Sequence, residues 1–178
     1  MKVFVISDIH GSSKYLEDFM NIYNEESDKS LIILGDVLYH GPRNPLPEGY
    51  DPQRVIKMLS PLKDDILWIR GNCDAEVDEM VLGFNAISNK KLSLNDKTFY
   101  LTHGHRINEI IDEVKEGDIL LHGHTHVNYL KVEDGIIKGN PGSLSLPKEN
   151  TKRSFMVISE DKIEVLSLDK EVIYSIDY

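Results

Sequence analysis

The sequence predicts an α/β protein in which two sheets pack as a sandwich between outer helices. Three observations lead there. The first half alternates short apolar runs with amphipathic stretches, the pattern of parallel βαβ units. The second half strings together short β-rich runs separated by turn signals. Five apolar runs end at a glycine beside a side chain able to bind a metal.

The elements follow in order. Lys2–Ile6 (KVFVI) is the first strand. From Ser13 to Glu25 the spacing is helical, with Leu16, Phe19, Met20 and Tyr23 on one face and Ser12 or Ser13 as cap. Leu31–Leu34 is the second strand, closed by Gly35-Asp36. Residues 37–51 form a loop rich in Gly and Pro, and a helix runs over Pro52–Leu59. Ile66–Ile69 is the third strand, closed by Gly71-Asn72. Beyond it, Lys91–Asn95 and Thr98–Thr102 flank Asp96-Lys97 as a hairpin, and Ile107–Val114 has helical spacing. Further strands are predicted over Ile119–Leu121, Val127–Val132, Gly135–Gly139, Phe155–Ser159, Lys162–Leu168 and Glu171–Ile176.

The 178 residues suit one domain spanning 1–178, and the 40% hydrophobic and 28% charged content is ordinary for a globular chain. The formal charge of −10 opposes an extended nucleic-acid groove, because most of the surface repels a polyphosphate backbone. It leaves room for a small phosphorylated substrate, since bound cations can set the local sign. No apolar run approaches the ~20 residues of a membrane span. The start, MKVFVISDIHG, is not expected to act as a signal peptide. A single cysteine, Cys73, allows no intrachain disulfide and suits a reducing cytoplasm.

The chemistry sits where the apolar runs stop. VFVIS leads to Asp8-Ile9-His10-Gly11, LIIL to Gly35-Asp36, and ILWIR to Gly71-Asn72-Cys73-Asp74. TFYLT leads to His103-Gly104-His105, and DILLH to Gly123-His124-Thr125-His126. Ligands of open α/β sheets bind at the carboxyl ends of strands. Asp8, His10, Asp36, Asn72, His103, His124 and His126 offer two carboxylates, one amide and four imidazoles. This mixed set suits Mn²⁺, Fe²⁺ or Zn²⁺ better than Mg²⁺ or Ca²⁺. Seven donors exceed the needs of one tetrahedral ion and suffice for two ions sharing a carboxylate.

The ordered motifs DxH, GD, GNxD, HG and GHTH resemble those of the calcineurin-like metallophosphoesterases. LGDVLYHGPRNPLPEGYDP and IRGNCDAEVDEM are similar to the YfcE-type bacterial phosphodiesterases within that family. The resemblance runs from Met1 to at least Asn140–Ser143 (NPGS). It implies a four-layer αββα fold and two divalent metal ions per chain, Mn²⁺ first, with Zn²⁺, Fe²⁺ or Ni²⁺ as alternatives. Asp8, His10 and His126 would hold one ion, Asn72, His103 and His124 the other, and Asp36 would bridge them. The implied reaction is in-line hydrolysis of a small phosphodiester by a water or hydroxide bridging the ions.

Asp36, Asn72, Cys73 and Asp74 are the catalytic candidates. Cys73 stands where the family usually has a histidine, so the leaving group lacks a strong proton donor; a thiol nucleophile is the sharper alternative. Asp74 is expected to orient a neighbour. His122 reads as a strand residue with a satisfied ring. His105 reads either as support for a ligand or as a solvated loop residue, and His40 as a residue able to meet substrate. Arg43 and Asn44 could touch a phosphate or a subunit partner, and NPGS reads as a motif near the site or as a structural turn. Exposed Leu and Pro residues of the 37–52 loop suggest a homo-oligomer, a dimer or a tetramer. The rival class is a non-catalytic module, because the retromer scaffold subunit shares this fold.

Overall fold

A computed structural model describes residues 1–178. Its strands are β1 (Lys2–Ile6), β2 (Lys29–Ile33), β3 (Ile66–Ile69), β4 (Ala86–Ile87), β5 (Asn89–Leu94), β6 (Lys97–Thr102), β7 (Ile119–Leu121), β8 (Tyr129–Glu133), β9 (Ile136–Asn140), β10 (Ser154–Ile158), β11 (Lys162–Ser167) and β12 (Val172–Asp177). The helices are α1 (Ser13–Tyr23), α2 (Pro52–Leu59) and α3 (Glu76–Leu82). One sheet has the order β12-β11-β10-β1-β2-β3-β4 and the other β5-β6-β7-β9-β8. Within the first, β1 to β4 run parallel; within the second, β7 lies parallel to both β6 and β9.

The layers follow from alternation along the strands. Val3, Val5, Ile32, Leu34 and Ile69 point from the first sheet toward Phe99, Leu101, Ile119 and Leu121 of the second, forming the inter-sheet core. The intervening residues Phe4, Ile6, Leu31, Ile33 and Trp68 face the other way. They pack under Leu16 and Phe19 of α1, Val55 and Leu59 of α2, and Leu82 of α3. On the far side, Tyr100 and Leu120 are covered by Ile110 and Val114. The central strands are thus buried on both faces, as a parallel sheet requires.

Ser12 caps α1 by accepting the Tyr15 N–H, and Asp51 caps α2 by accepting the Arg54 N–H at 3.0 Å. Three expectations change. The helix over Ile107–Val114 is instead two 3₁₀ turns, Ile107–Glu109 and Ile111–Glu113. Four of those eight residues are β-branched, which weakens an α-helix, and Ile110 between the turns leaves helical geometry at φ −125°, ψ −14°. Helix α3 and strand β4 were not anticipated. The apolar residues Val77, Met80 and Val81 of α3 are exposed, so no buried stripe marks it. Its ends carry the signal instead: Asp78 accepts the Ala75 N–H at 2.8 Å, and Gly83 closes the helix at φ 80°. The other boundaries move by up to two residues.

The hairpin between β5 and β6 turns through Asn95 (φ 52°) and Asp96 (φ 59°), a two-residue loop with both central residues left-handed. Asp96→Gly places glycine at such a position. It is expected to raise stability by about 0.5 kcal/mol, read as a higher urea midpoint with an unchanged slope.

Candidate metal centre

Five parallel strands end at one rim of the sandwich, and the loops that follow them carry the polar residues. Asp8 and His10 follow β1, Asp36 follows β2, Asn72 follows β3, His103 follows β6, and His124 and His126 follow β7. Five of these seven are left-handed: Asp8 (φ 55°), His10 (49°), Asp36 (57°), His124 (69°) and His126 (61°). Such backbone costs roughly 1–3 kcal/mol per residue and persists only where its surroundings force it.

Those surroundings are specific. The Asp8 N–H donates to Gly35 O at 3.0 Å and the His10 N–H to Asp36 O at 2.9 Å, so the first two loops brace each other. Asp74 accepts three backbone N–H groups, from Asp36 (2.9 Å), Val37 (2.8 Å) and Gly71 (2.7 Å), and the Trp68 indole N–H at 3.2 Å. Ser143 donates to the Asp8 carbonyl at 2.7 Å, and Asn140 donates to Gly123 O at 2.8 Å and Thr125 Oγ1 at 3.0 Å. The NPGS segment therefore ties β9 to the loops after β1 and β7. A side chain at Gly71 would put Cβ 2.1 Å from Asp36 Oδ1, and one at Gly123 would put it 1.9 Å from Ser7 Oγ. Both loops close on glycine because nothing larger fits.

The donor atoms converge on one another. His10 Nδ1 donates to Tyr39 O (2.8 Å), His126 Nδ1 to Leu146 O (2.7 Å) and His103 Nδ1 to Leu34 O (2.6 Å). A carbonyl only accepts, so each Nδ1 carries the hydrogen and a neutral ring presents a lone pair at Nε2. His10 Nε2 and His126 Nε2 lie 3.2 Å apart, and Asp8 Oδ1 lies 3.6 and 3.2 Å from them. This carboxylate oxygen is fully buried and accepts no hydrogen bond, whereas its twin, Oδ2, accepts the Ser7 hydroxyl and the His124 N–H. His103 Nε2 sits 3.1 Å from Asn72 Oδ1 and 3.5 Å from Asp36 Oδ2. Asp36 Oδ2 is also 3.7 Å from His10 Nε2, between the two groups, while its Oδ1 accepts the Cys73 N–H at 2.8 Å. The His124 ring stands 5.1 Å from that of His103. Lone pairs aimed at one another in a buried site repel unless a proton or a metal cation lies between them. The donor set fits divalent metal ions, and Asp8, His10 and His126 on one side and Asp36 and His103 on the other can hold them.

The remaining residues named from the sequence fall into place by their contacts. Asp74 touches backbone and the Trp68 indole, so its contribution is to position Asp36. Cys73 is partly buried and lines the cavity above the cluster; burial and the neighbouring Asp36 push its thiol up to about 12, so it is protonated at neutral pH. The His122 ring bonds to Gly123 O (2.9 Å) and the Tyr129 hydroxyl (2.6 Å), and is satisfied away from the cluster. His105 is solvent-exposed, its ring 5.3 Å from that of His103 and in contact with no hydrogen-bond partner. His40 is a correction: its ring packs edge-on against Tyr39 and Tyr50 and does not line the cavity. Arg43 and Asn44 do line it, and so does Lys148, which the sequence reading passed over. Ser7 and the carbonyls of Leu34, Tyr39 and Leu146 also escaped that reading. Backbone oxygens leave no mark in a sequence.

Burial pulls the His103 pKa down, but the hydrogen bond to Asp36 and the charges of Asp8 and Asp36 outweigh it and lift the ring to about 9. His10 is raised in the same way, with Asp8 as its chief partner, while Asp8 and Asp36 are held below the ordinary carboxylate range by their histidines against the opposing effect of burial. A histidine raised from 6.5 to about 9 stabilises the fold fully below pH 6.5 and loses that contribution as pH rises through 9. The two carboxylates titrate only in acid. Metal-free protein is therefore expected to lose on the order of 3 kcal/mol between pH 6.5 and 9. Metal-loaded protein, in which the Nε2 lone pair is engaged, keeps a level profile. Thermal melts with and without chelator at the two pH values check this; a level profile without metal would show that no charged His103–Asp36 pair forms.

Comparison with known proteins agrees with this geometry. The model of the calcineurin-like phosphoesterase superfamily domain matches residues 1–162. The chain is 38% identical to the phosphodiesterase YfcE of Escherichia coli over 97% of its own length and 95% of that protein's. The solved structure of E. coli YfcE, a phosphoesterase, superposes with a TM-score of 0.94 at 37% identity, covering 99% of both chains. The Vacuolar Protein Sorting 29 structure from Cryptosporidium parvum shares the fold at a TM-score of 0.68 and 18% identity, covering 99% of this chain and 98% of that one. With a family model covering most of its length and a relative this similar, the chain belongs to the calcineurin-like phosphoesterases.

Proposed function

We propose that the chain is a metal-dependent phosphodiesterase that hydrolyses small phosphodiesters at a dinuclear centre. The observation that carries this reading is the convergence of carboxylate, imidazole and amide donor atoms, with neighbours 3.1–3.5 Å apart, at the ends of five parallel strands. Asp8, His10 and His126 would hold one ion, Asn72, His103 and His124 the other, and Asp36 would serve both. Two divalent ions there supply positive charge to the phosphoryl oxygens and lower the pKa of the attacking water.

The chain's own residues supply position. The Nδ1–carbonyl bonds fix each imidazole with its lone pair inward, and the braced left-handed loops leave little reorganisation for the moment of reaction. Cys73, a thiol, is neither a ready nucleophile nor a strong acid. Diesters with good leaving groups are accordingly favoured. Mn²⁺ is the metal we favour, because the donor set mixes nitrogen with oxygen; Zn²⁺, Fe²⁺ and Ni²⁺ suit the same donors. No helix is long and apolar enough to cross a membrane. A cytoplasmic site of action fits the lone free cysteine.

The test is hydrolysis of bis-p-nitrophenyl phosphate against p-nitrophenyl phosphate by metal-stripped protein titrated with Mn²⁺. Diester turnover is expected to saturate near two ions per chain. Asp36→Ala should lower it by more than about 100-fold, and Cys73→Ser should keep it within about tenfold. Stoichiometric metal binding without turnover under any metal would leave a binding scaffold of this fold instead. Loss of turnover in Cys73→Ser with metal binding intact would reinstate the thiol.

A further inference from the structure

Above the metal cluster opens a cavity of about 880 Å³. Its floor is formed by Asp36, Asn72, His124 and His126. Two loops from distant parts of the chain line it, and each contributes an exposed cation: Arg43 from the loop after β2, and Lys148 from the loop between β9 and β10. Both loops are pinned close by. The Lys148 N–H donates to His126 O at 3.0 Å, and the Asn44 side chain donates to His40 O at 2.9 Å.

These cations run against the composition. The chain has 30 acidic and 20 basic residues, and most of its arginines and several of its lysines sit on a carboxylate. Arg54 meets Glu17, Arg70 meets Glu79, Arg106 meets Glu109, and Lys170 meets Glu25. Arg43 and Lys148 have no acidic partner within ion-pair distance. The cavity itself offers two carboxylates. One, Asp36, belongs to the cluster, and the other, Asp74, is occupied by backbone N–H groups.

A plain diester does not need them. Two divalent ions carry four positive charges. Within the ligand set, Asp8 and Asp36 would cancel two, and an attacking hydroxide and the diester phosphate one each; Asp74 lies outside the ligand set, its charge spread over four N–H groups. Arg43 and Lys148 are therefore surplus to the scissile group. Together they match the charge of a phosphate monoester, for which a guanidinium fork and an ammonium point charge are a suitable pair.

We propose that the substrate is a phosphodiester whose non-leaving arm carries a second phosphate, and that Arg43 and Lys148 receive it. This rests on the phosphodiesterase reading and narrows it to a substrate class. It also accounts for how an acidic protein attracts an anion: the loops present local positive charge where the rest of the surface does not.

The test uses a matched pair of chromogenic diesters, thymidine 5′-(p-nitrophenyl phosphate) and the same compound carrying a 3′-phosphate, with Mn²⁺-loaded protein. The 3′-phosphorylated diester is expected to show a kcat/KM about tenfold or more above its partner. The double substitution Arg43→Gln, Lys148→Gln should bring that ratio close to one. A ratio near one in the unaltered protein, or a ratio that survives the double substitution because both substrates fall together, overturns the proposal. The second case would assign the two cations to the scissile phosphate. Calorimetric binding of thymidine 3′,5′-bisphosphate against thymidine 5′-monophosphate gives the same comparison without turnover. If neither diester is cleaved but the bisphosphate is preferred and the double variant loses that preference, the anion site stands and the phosphodiesterase reading falls. Cleavage of both diesters at equal rates, with equal binding of the two phosphates, leaves the enzyme and removes the site.

Discussion

Asp8, His10, Asp36, His124 and His126 hang from backbone that an L-residue avoids, and the rest of the rim is arranged to keep them there. Left-handed φ at these positions turns each loop so sharply that side chains from separate strands point back over the strand ends to one place. The conformational cost is met by hydrogen bonds with no other evident purpose. Asp74 gathers three N–H groups from two loops. Ser143 holds the Asp8 carbonyl, and Asn140 holds the Gly123 carbonyl beside His124. Glycine at 71 and 123 lets these loops pass close to Asp36 and Ser7. Remove the convergence and the strain has no compensation; remove the braces and the donors drift apart.

That convergence needs both sheets. β1, β2 and β3 belong to one and β6 and β7 to the other, and their carboxyl ends come together only because the two sheets pack face to face. Parallel neighbours within each sheet place all five ends at the same rim. The antiparallel strands β10 to β12 extend the first sheet and bury its core without adding a donor to the cluster. Fold and site are thus one construction, with the inter-sheet core setting the distance between the Asp8–Asp36 side and the His103–His124 side.

Charge divides along the same line. The chain is acidic overall, yet the cavity above the cluster is walled by Arg43 and Lys148, and its two carboxylates are committed elsewhere. A cationic rim over a metal-binding floor selects for anions by position, and an acidic exterior discourages long polyanions from settling anywhere else.

The strand-end motifs were legible because spacing on a strand and a following glycine are local properties. Helix α2 and strands β3 and β7 lie where periodicity predicts them, and all seven donor residues named from the sequence gather at the same rim. Helix α3 was hidden because three of its four apolar residues face solvent, and the Ile107–Val114 segment misled because helical spacing survives in a pair of 3₁₀ turns. His40 looked available for substrate until its ring was found against Tyr39 and Tyr50, and Lys148 looked like any surface lysine. The sequence by itself determined the fold class and the inventory of donors, since both depend on pattern along one chain. Only the tertiary structure decided which imidazole nitrogen faces inward, where the Asp74 carboxylate is used, and which cations stand over the site. Those depend on backbone carbonyls and loops brought together from residues far apart in the chain, and no local pattern records them.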